Sequence, residues 1–134
     1  MEEITIQFNK VFDLMVDFIL SIYDSRSIKL NKTIIDNMRK INKYKIIEEY
    51  ILWILPYYDK IKGQDEIYFI TIMNCTNNKE HEDIRQVLGY FKFLEVLKHF
   101  DEDNNKIVFE YQILLCDYAI EYLNMKLHNH SNDT

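Results

Sequence analysis

A chain of 134 residues that is 48% apolar, with only two Gly and one Pro, can bury one core, and it fits neither a disordered polar segment nor a turn-rich all-β design. The N-terminus opens on acidic Glu2 and Glu3, and the apolar run around Ile19 is interrupted by Asp13, Asp17 and Asp24, so neither a secretory signal nor a membrane span is expected. Without an export signal, Cys75 and Cys116 read as reduced, buried thiols, and the N-x-S/T triplets at Asn31, Asn74 and Asn129 as accidents of an Asn-rich composition.

Ile4, Phe8, Val11, Phe12, Met15, Phe18, Ile19 and Ile22 recur at three- and four-residue steps and predict an amphipathic helix over residues 3–23. After a polar break at residues 24–27, Ile34, Ile35, Met38 and Ile41 define the inner face of a second helix, with Asn31 or Thr33 as its N-cap. Ile46, Ile47, Tyr50, Ile51 and Ile54 form a third stripe that must break or kink at Pro56, which lacks an N–H and clashes one turn back. A short helix over residues 57–62 should end at Gly63. The segment "IYFITIMN" at 67–74 suits a strand or a helix; Asp65 and Glu66, apt for a first turn, favour the helix. Residues 80–100 predict a further helix, with Ile84, Val87, Leu88, Phe91, Leu94 and Leu97 inward, and the last runs over 107–127. There is no internal repeat and no sustained heptad. The expected fold is all-α: one domain over residues 1–127, a bundle of five or six helices, and a frayed tail over 128–134.

"HFDEDNNKIVFEYQ" (99–112) resembles a calcium loop, because Asp101, Asp103 and Asn105 stand at ligand spacing. Lys106 replaces the glycine that the sharp turn needs, and Gln112 replaces the bidentate Glu, so a solvated interhelical loop is expected instead. "HEDIR" at His81 lacks the second His of a zinc-protease helix, Arg85 standing there, and His128 with His130 has no third ligand. Two glycines cannot build a phosphate cradle. The adjacent carboxylates Glu48 with Glu49 and Asp65 with Glu66 diverge by about 100° on a helix rather than converging on one bond. Tyr50, Trp53, Tyr57, Tyr58, Tyr68 and Phe69 read as core packing. No catalytic residue, metal site or cofactor is expected.

Charge is unevenly placed. Residues 26–45 hold seven basic side chains against the single acid Asp36, a local +6, while the rest of the chain carries −12. Lys29, Lys32, Arg39, Lys40 and Lys43 are the candidate binding residues, a cationic flank expected to face water opposite Ile34, Ile35, Met38 and Ile41. Such a flank either solubilises the helix or engages phosphates, an acidic protein patch or a second copy of the chain. Only Tyr44 interleaves it with an aromatic ring, too little for single-strand stacking.

"LPYYDKIKGQDEIYF" (55–69) and "IVFEYQILLCDYAIEYLNMK" (107–126) resemble a pattern in short helical proteins of the nucleocytoplasmic large DNA viruses of protists. Pro56, Tyr57, Asp59, Ile61, Asp65 and Glu66 match it; Gln64 stands where that family has Arg, and Tyr68 with Phe69 replaces its Phe pair. The resemblance covers about half the chain and implies a small non-enzymatic protein of the virion or the infected host cytoplasm. A viral Bcl-2-like bundle is a second analogy, resting on fold class alone. The leading expectation is therefore an interaction or virion-associated helical protein that binds a protein partner or itself. The alternative is a nucleic-acid or chromatin-associated module using the basic helix.

Overall fold

The computed structural model describes residues 1–64, 68 and 100–132. Within them lie five α-helices, here α1 to α5 in chain order, and no strand, so the fold is the expected all-α bundle. The readings of residues 67–74 (Tyr68 apart), of 80–99, of His81 and of Cys75 fall outside the described residues.

Helix α1 (Glu2–Ile22) forms because its apolar side chains share one arc: Ile4, Phe8, Val11, Phe12, Met15, Val16 and Ile19 are all buried. Glu2 and Glu3 sit in the first turn, where carboxylates meet the positive end of the helix dipole. Helix α2 (Arg26–Ile41) starts earlier than Asn31 or Thr33 would have it. Ser25 is its cap, the hydroxyl accepting from the Ile28 N–H at 3.2 Å. Thr33 instead donates back to the Lys29 carbonyl.

Helix α3 (Lys45–Glu49) widens into a π-helical turn, Tyr50–Ile54, and then tightens into a 3₁₀ turn, Leu55–Tyr57, around Pro56. This is the break that proline demands, achieved by changing hydrogen-bond spacing on its N-terminal side. Helix α4 (Tyr58–Lys62) follows, and the Gly63 N–H bonds the Asp59 carbonyl at 3.0 Å. Gly63 keeps a right-handed φ of −75°, and the left-handed residue is its neighbour Gln64, at φ 52°.

Helix α5 (Glu102–Asn132) is longer at both ends than residues 107–127. The acidic stretch expected to be a loop is its first turn: the Asp101 carboxylate accepts from the Asn104 N–H at 2.8 Å, an N-cap. The run 128–132, expected to fray, continues as helix.

Helix α5 packs most extensively on α1 and also against α4 and the π turn, while α2 lies along α1 and α3. The centre of the core is aromatic. Tyr50 meets Phe8 and Phe12 edge-on, ring centroids 5.1 and 6.3 Å away. Its hydroxyl donates to Gln112 Oε1 at 2.9 Å, and Gln112 Nε2 donates to Met15 Sδ at 3.4 Å. Three elements thus share one buried polar chain.

Candidate interaction surfaces

The basic segment folds as helix α2 up to Ile41, with Lys43 in the turn beyond it, and four of the five candidate residues carry carboxylate partners. Lys29 pairs with Asp24, Lys32 with Asp17 at 3.5 Å, and Lys43 with Glu2 at 2.5 Å. Arg39 is held most closely: it bonds Asp13 at 2.7 Å and Asp36 at 2.5 Å, donates to the Asn9 carbonyl at 3.3 Å, and lies over the Phe12 ring. Its side chain is only 12% exposed. The hydrogen bond between Lys43 and Glu2 raises the lysine pKa and lowers that of the glutamate. Among the described residues only Lys40 of the five has no carboxylate partner, and the exposed Arg26 shares that condition. Lys32, Arg39 and Lys43 thus form a seam with α1 rather than a free cationic flank, while Lys29, Lys40 and the paired but exposed Lys43 face water as expected. The cause of the seam lies in α1, where Glu2, Asp13 and Asp17 fall on one side of the helix at about 100° per residue.

Helix α2 is accordingly turned about its axis relative to the expected facing. Ile28 and Ile35 are buried, whereas Leu30 is 58% exposed, Ile34 52% and Ile41 90%. Ile34 and Ile41, expected inside, stand outside because the stem of Arg39 shares the inward arc with Ile28 and Ile35. Leu30, Ile34 and Ile41, at steps of four and seven residues, form an uncovered apolar stripe.

A second surface lies between the start of α1 and the far half of α5, which run antiparallel. Met1, Glu3, Ile4, Gln7, Tyr118, Glu121 and Met125 line a groove of about 430 Å³. Ile107, Leu114 and Met125 are exposed large apolar residues of α5, and at steps of seven and eleven residues they share with half-buried Tyr118 the flank of α5 that lines the groove. Neither Glu3 nor Glu121 has a cationic partner among the described residues.

Other candidate chemistry is absorbed by structure. Asp101 is a cap, and Asn105 is buried with its amide donating to the Phe100 carbonyl at 3.2 Å, so the would-be calcium ligands do not converge. Cys116 is a free thiol pushed up to about 12 by burial, with the charge of Asp117 adding, and stays protonated. Of the aromatic series, Tyr50 is buried, and half-buried Tyr58 donates to Asp117 at 2.8 Å. His128 is exposed. Among the described residues no cluster of His, Cys, Asp and Glu could hold a metal ion, and no helix is long and apolar enough to cross a membrane.

No protein-family model, curated protein or solved structure matches the chain.

Sequence reasoning passed over Asp13 and Asp17 as mere breaks in an apolar run, although their four-residue spacing marks a helix flank opposite cations. It also missed the two-arc apolar pattern of α2, in which Ile28 with Ile35 and Leu30 with Ile34 and Ile41 point in different directions.

Proposed function

We propose that this chain is a non-enzymatic, virion-associated helical protein that works by contact with protein surfaces, its own included, through the outer face of α2. The observation that carries this reading is the stripe of Leu30, Ile34 and Ile41, three large aliphatic side chains left in water on a helix that already has a buried face. Burying them on a partner would remove that exposed area at no cost to the core. The resemblance to short helical proteins of large DNA viruses supports placing the contact in the particle or the infected cytoplasm.

A photo-crosslinking residue in place of Ile34, compared with one in place of the exposed Asp59 on α4, which lies on neither surface, tests this in producing cells. Protein adducts concentrated at position 34 are expected; equal yields at both positions would remove the outer α2 face from consideration.

A nucleic-acid reading is favoured only by Arg26 and Lys40, the α2 cations without carboxylates among the described residues. Retention on DNA at low salt, lost in R26E/K40E and falling steeply with added salt, would establish it. Arg39 is unsuited to that experiment because it holds α2 to α1.

A further inference from the structure

The outer face of α2 and the α1–α5 groove are complementary in chemistry and spacing. We infer that they are two halves of one interface: the α2 stripe of one copy seats in the α1–α5 groove of another. This rests on the reading of α2 as a contact surface and names its partner as a second copy of this chain.

Spacing is the first support. Leu30, Ile34 and Ile41 advance by four and then seven residues, and on α5 Leu114, Tyr118 and Met125 advance by the same steps. Each set spans about 16 Å at 1.5 Å per residue. Side by side and parallel, the two helices bring Leu30 to Leu114, Ile34 to Tyr118 and Ile41 to Met125 in one register.

Depth and charge point the same way. Ile41, the most exposed large apolar residue described, arrives at the groove, whose apolar lining is Met1, Ile4, Tyr118 and Met125. Methionine and tyrosine adapt to an aliphatic knob at low cost in shape. Lys40, beside Ile41, comes to the wall bearing Glu3, with Glu121 across the groove: a cation and two carboxylates that have no opposite charge to meet among the described residues of their own copy.

The same contact cannot close within one copy. Helix α2 is fastened to the flank of α1 that carries Glu2, Asp13 and Asp17, while the groove uses the flank that carries Glu3 and Gln7. A contact joining two different surfaces is heterologous, so each copy that docks still offers a free stripe or a free groove and the assembly grows past the dimer.

Sedimentation velocity and light scattering on the full chain across a concentration series provide the test. The wild type is expected to increase in mass beyond two copies. I34D, which spoils the stripe, and M125E, which spoils the groove, each lie on exposed positions; each should keep the wild-type helical circular dichroism and stay monomeric. Mixed together they should form a one-to-one dimer that grows no further, since one intact stripe and one intact groove remain. K40E should weaken wild-type association about tenfold, and mixing K40E/M125E with E3K/I34D should restore the dimer.

A wild type that stays monomeric to millimolar concentration would overturn the inference, as would single variants that still associate or a mixture of I34D and M125E that does not. If the wild type is monomeric while position 34 still crosslinks to a different protein, the second-copy partner falls and the contact-surface reading of α2 stands. Absence of adducts at position 34 removes both.

Discussion

Gln112 stands where a calcium loop would need glutamate, and its place in the fold explains the choice. It faces the core, where its amide accepts from Tyr50 and donates to Met15, so an ionised side chain there would be buried without a counter-charge. Tyr50→Phe leaves the Gln112 oxygen unmatched and should cost about 1–2 kcal/mol in urea unfolding, while the double variant Y50F/Q112L, which removes both partners, should lose less than the sum of the single changes. Burial also raises the Tyr50 hydroxyl well above 10.0, and Cys116 from 9.0 to about 12. In the unfolded chain both groups lose protons sooner than in the folded one, so the stability they contribute is full below pH 9 and falls as pH rises toward 12. The urea midpoint should therefore drop steadily above pH 9, less steeply in Cys116→Ala, and alkylation of Cys116 at pH 8, read by peptide mass, should follow global unfolding. Residue roles of this kind were only half legible: a lone Gln in an apolar stripe announces a buried partner but not which one.

At the level of elements, apolar periodicity located α1, α2, α3 and α5 but misplaced the starts of α2 and α5. Helix α5 begins with the polar turn "EDNN", where an amphipathic pattern says nothing until its first apolar residue arrives, whereas in α2 Ile28 and Leu30 precede Asn31 but fall on opposite arcs and so set no single stripe. The capping residues carried the missing signal: Ser25 and Asp101 each satisfy an N–H three residues on. Asp101→Ala should destabilise the protein by about 1 kcal/mol in thermal or urea unfolding, an ordinary loop aspartate by much less. Arg39→Ala should cost about 2 kcal/mol because it strips Asp13, Asp36 and the Asn9 carbonyl of one shared, mostly buried guanidinium. Lys40→Ala, with nothing to lose in the monomer, should stay within about 0.5 kcal/mol. That contrast separates a seam from a free basic surface.

For the whole molecule, the all-α class followed from composition and periodicity, whereas the facing of α2 did not, because it depends on where another helix puts its acids. Only Ile28 and Ile35 of α2 are buried, and much of the remaining attachment to α1 runs through charged side chains, so α2 is less tied to the core than α1 or α5. Protonating Glu2, which holds the segment just past the end of α2, should loosen that helix first. Glu2 has a lowered pKa, chiefly from its hydrogen bond to Lys43, so the stability it lends is present at neutral pH and is lost as pH falls below 4.5. Hydrogen exchange near pH 4, corrected for intrinsic rates, should show α2 amides opening well before those of α1 and α5. A uniform loss of protection would mean that α2 is bound as tightly as the rest.

The turn at Tyr50–Ile54 closes on a bond from the Leu55 N–H to the Tyr50 carbonyl, one residue wider than regular helix. Such a turn is slack in the chain. Excising a residue there would let the coil resume ordinary spacing with both sides still aimed as before, whereas the same excision in the middle of α1 would swing half of its core residues into solvent. Length changes in this fold have a natural place to occur, just ahead of its single proline.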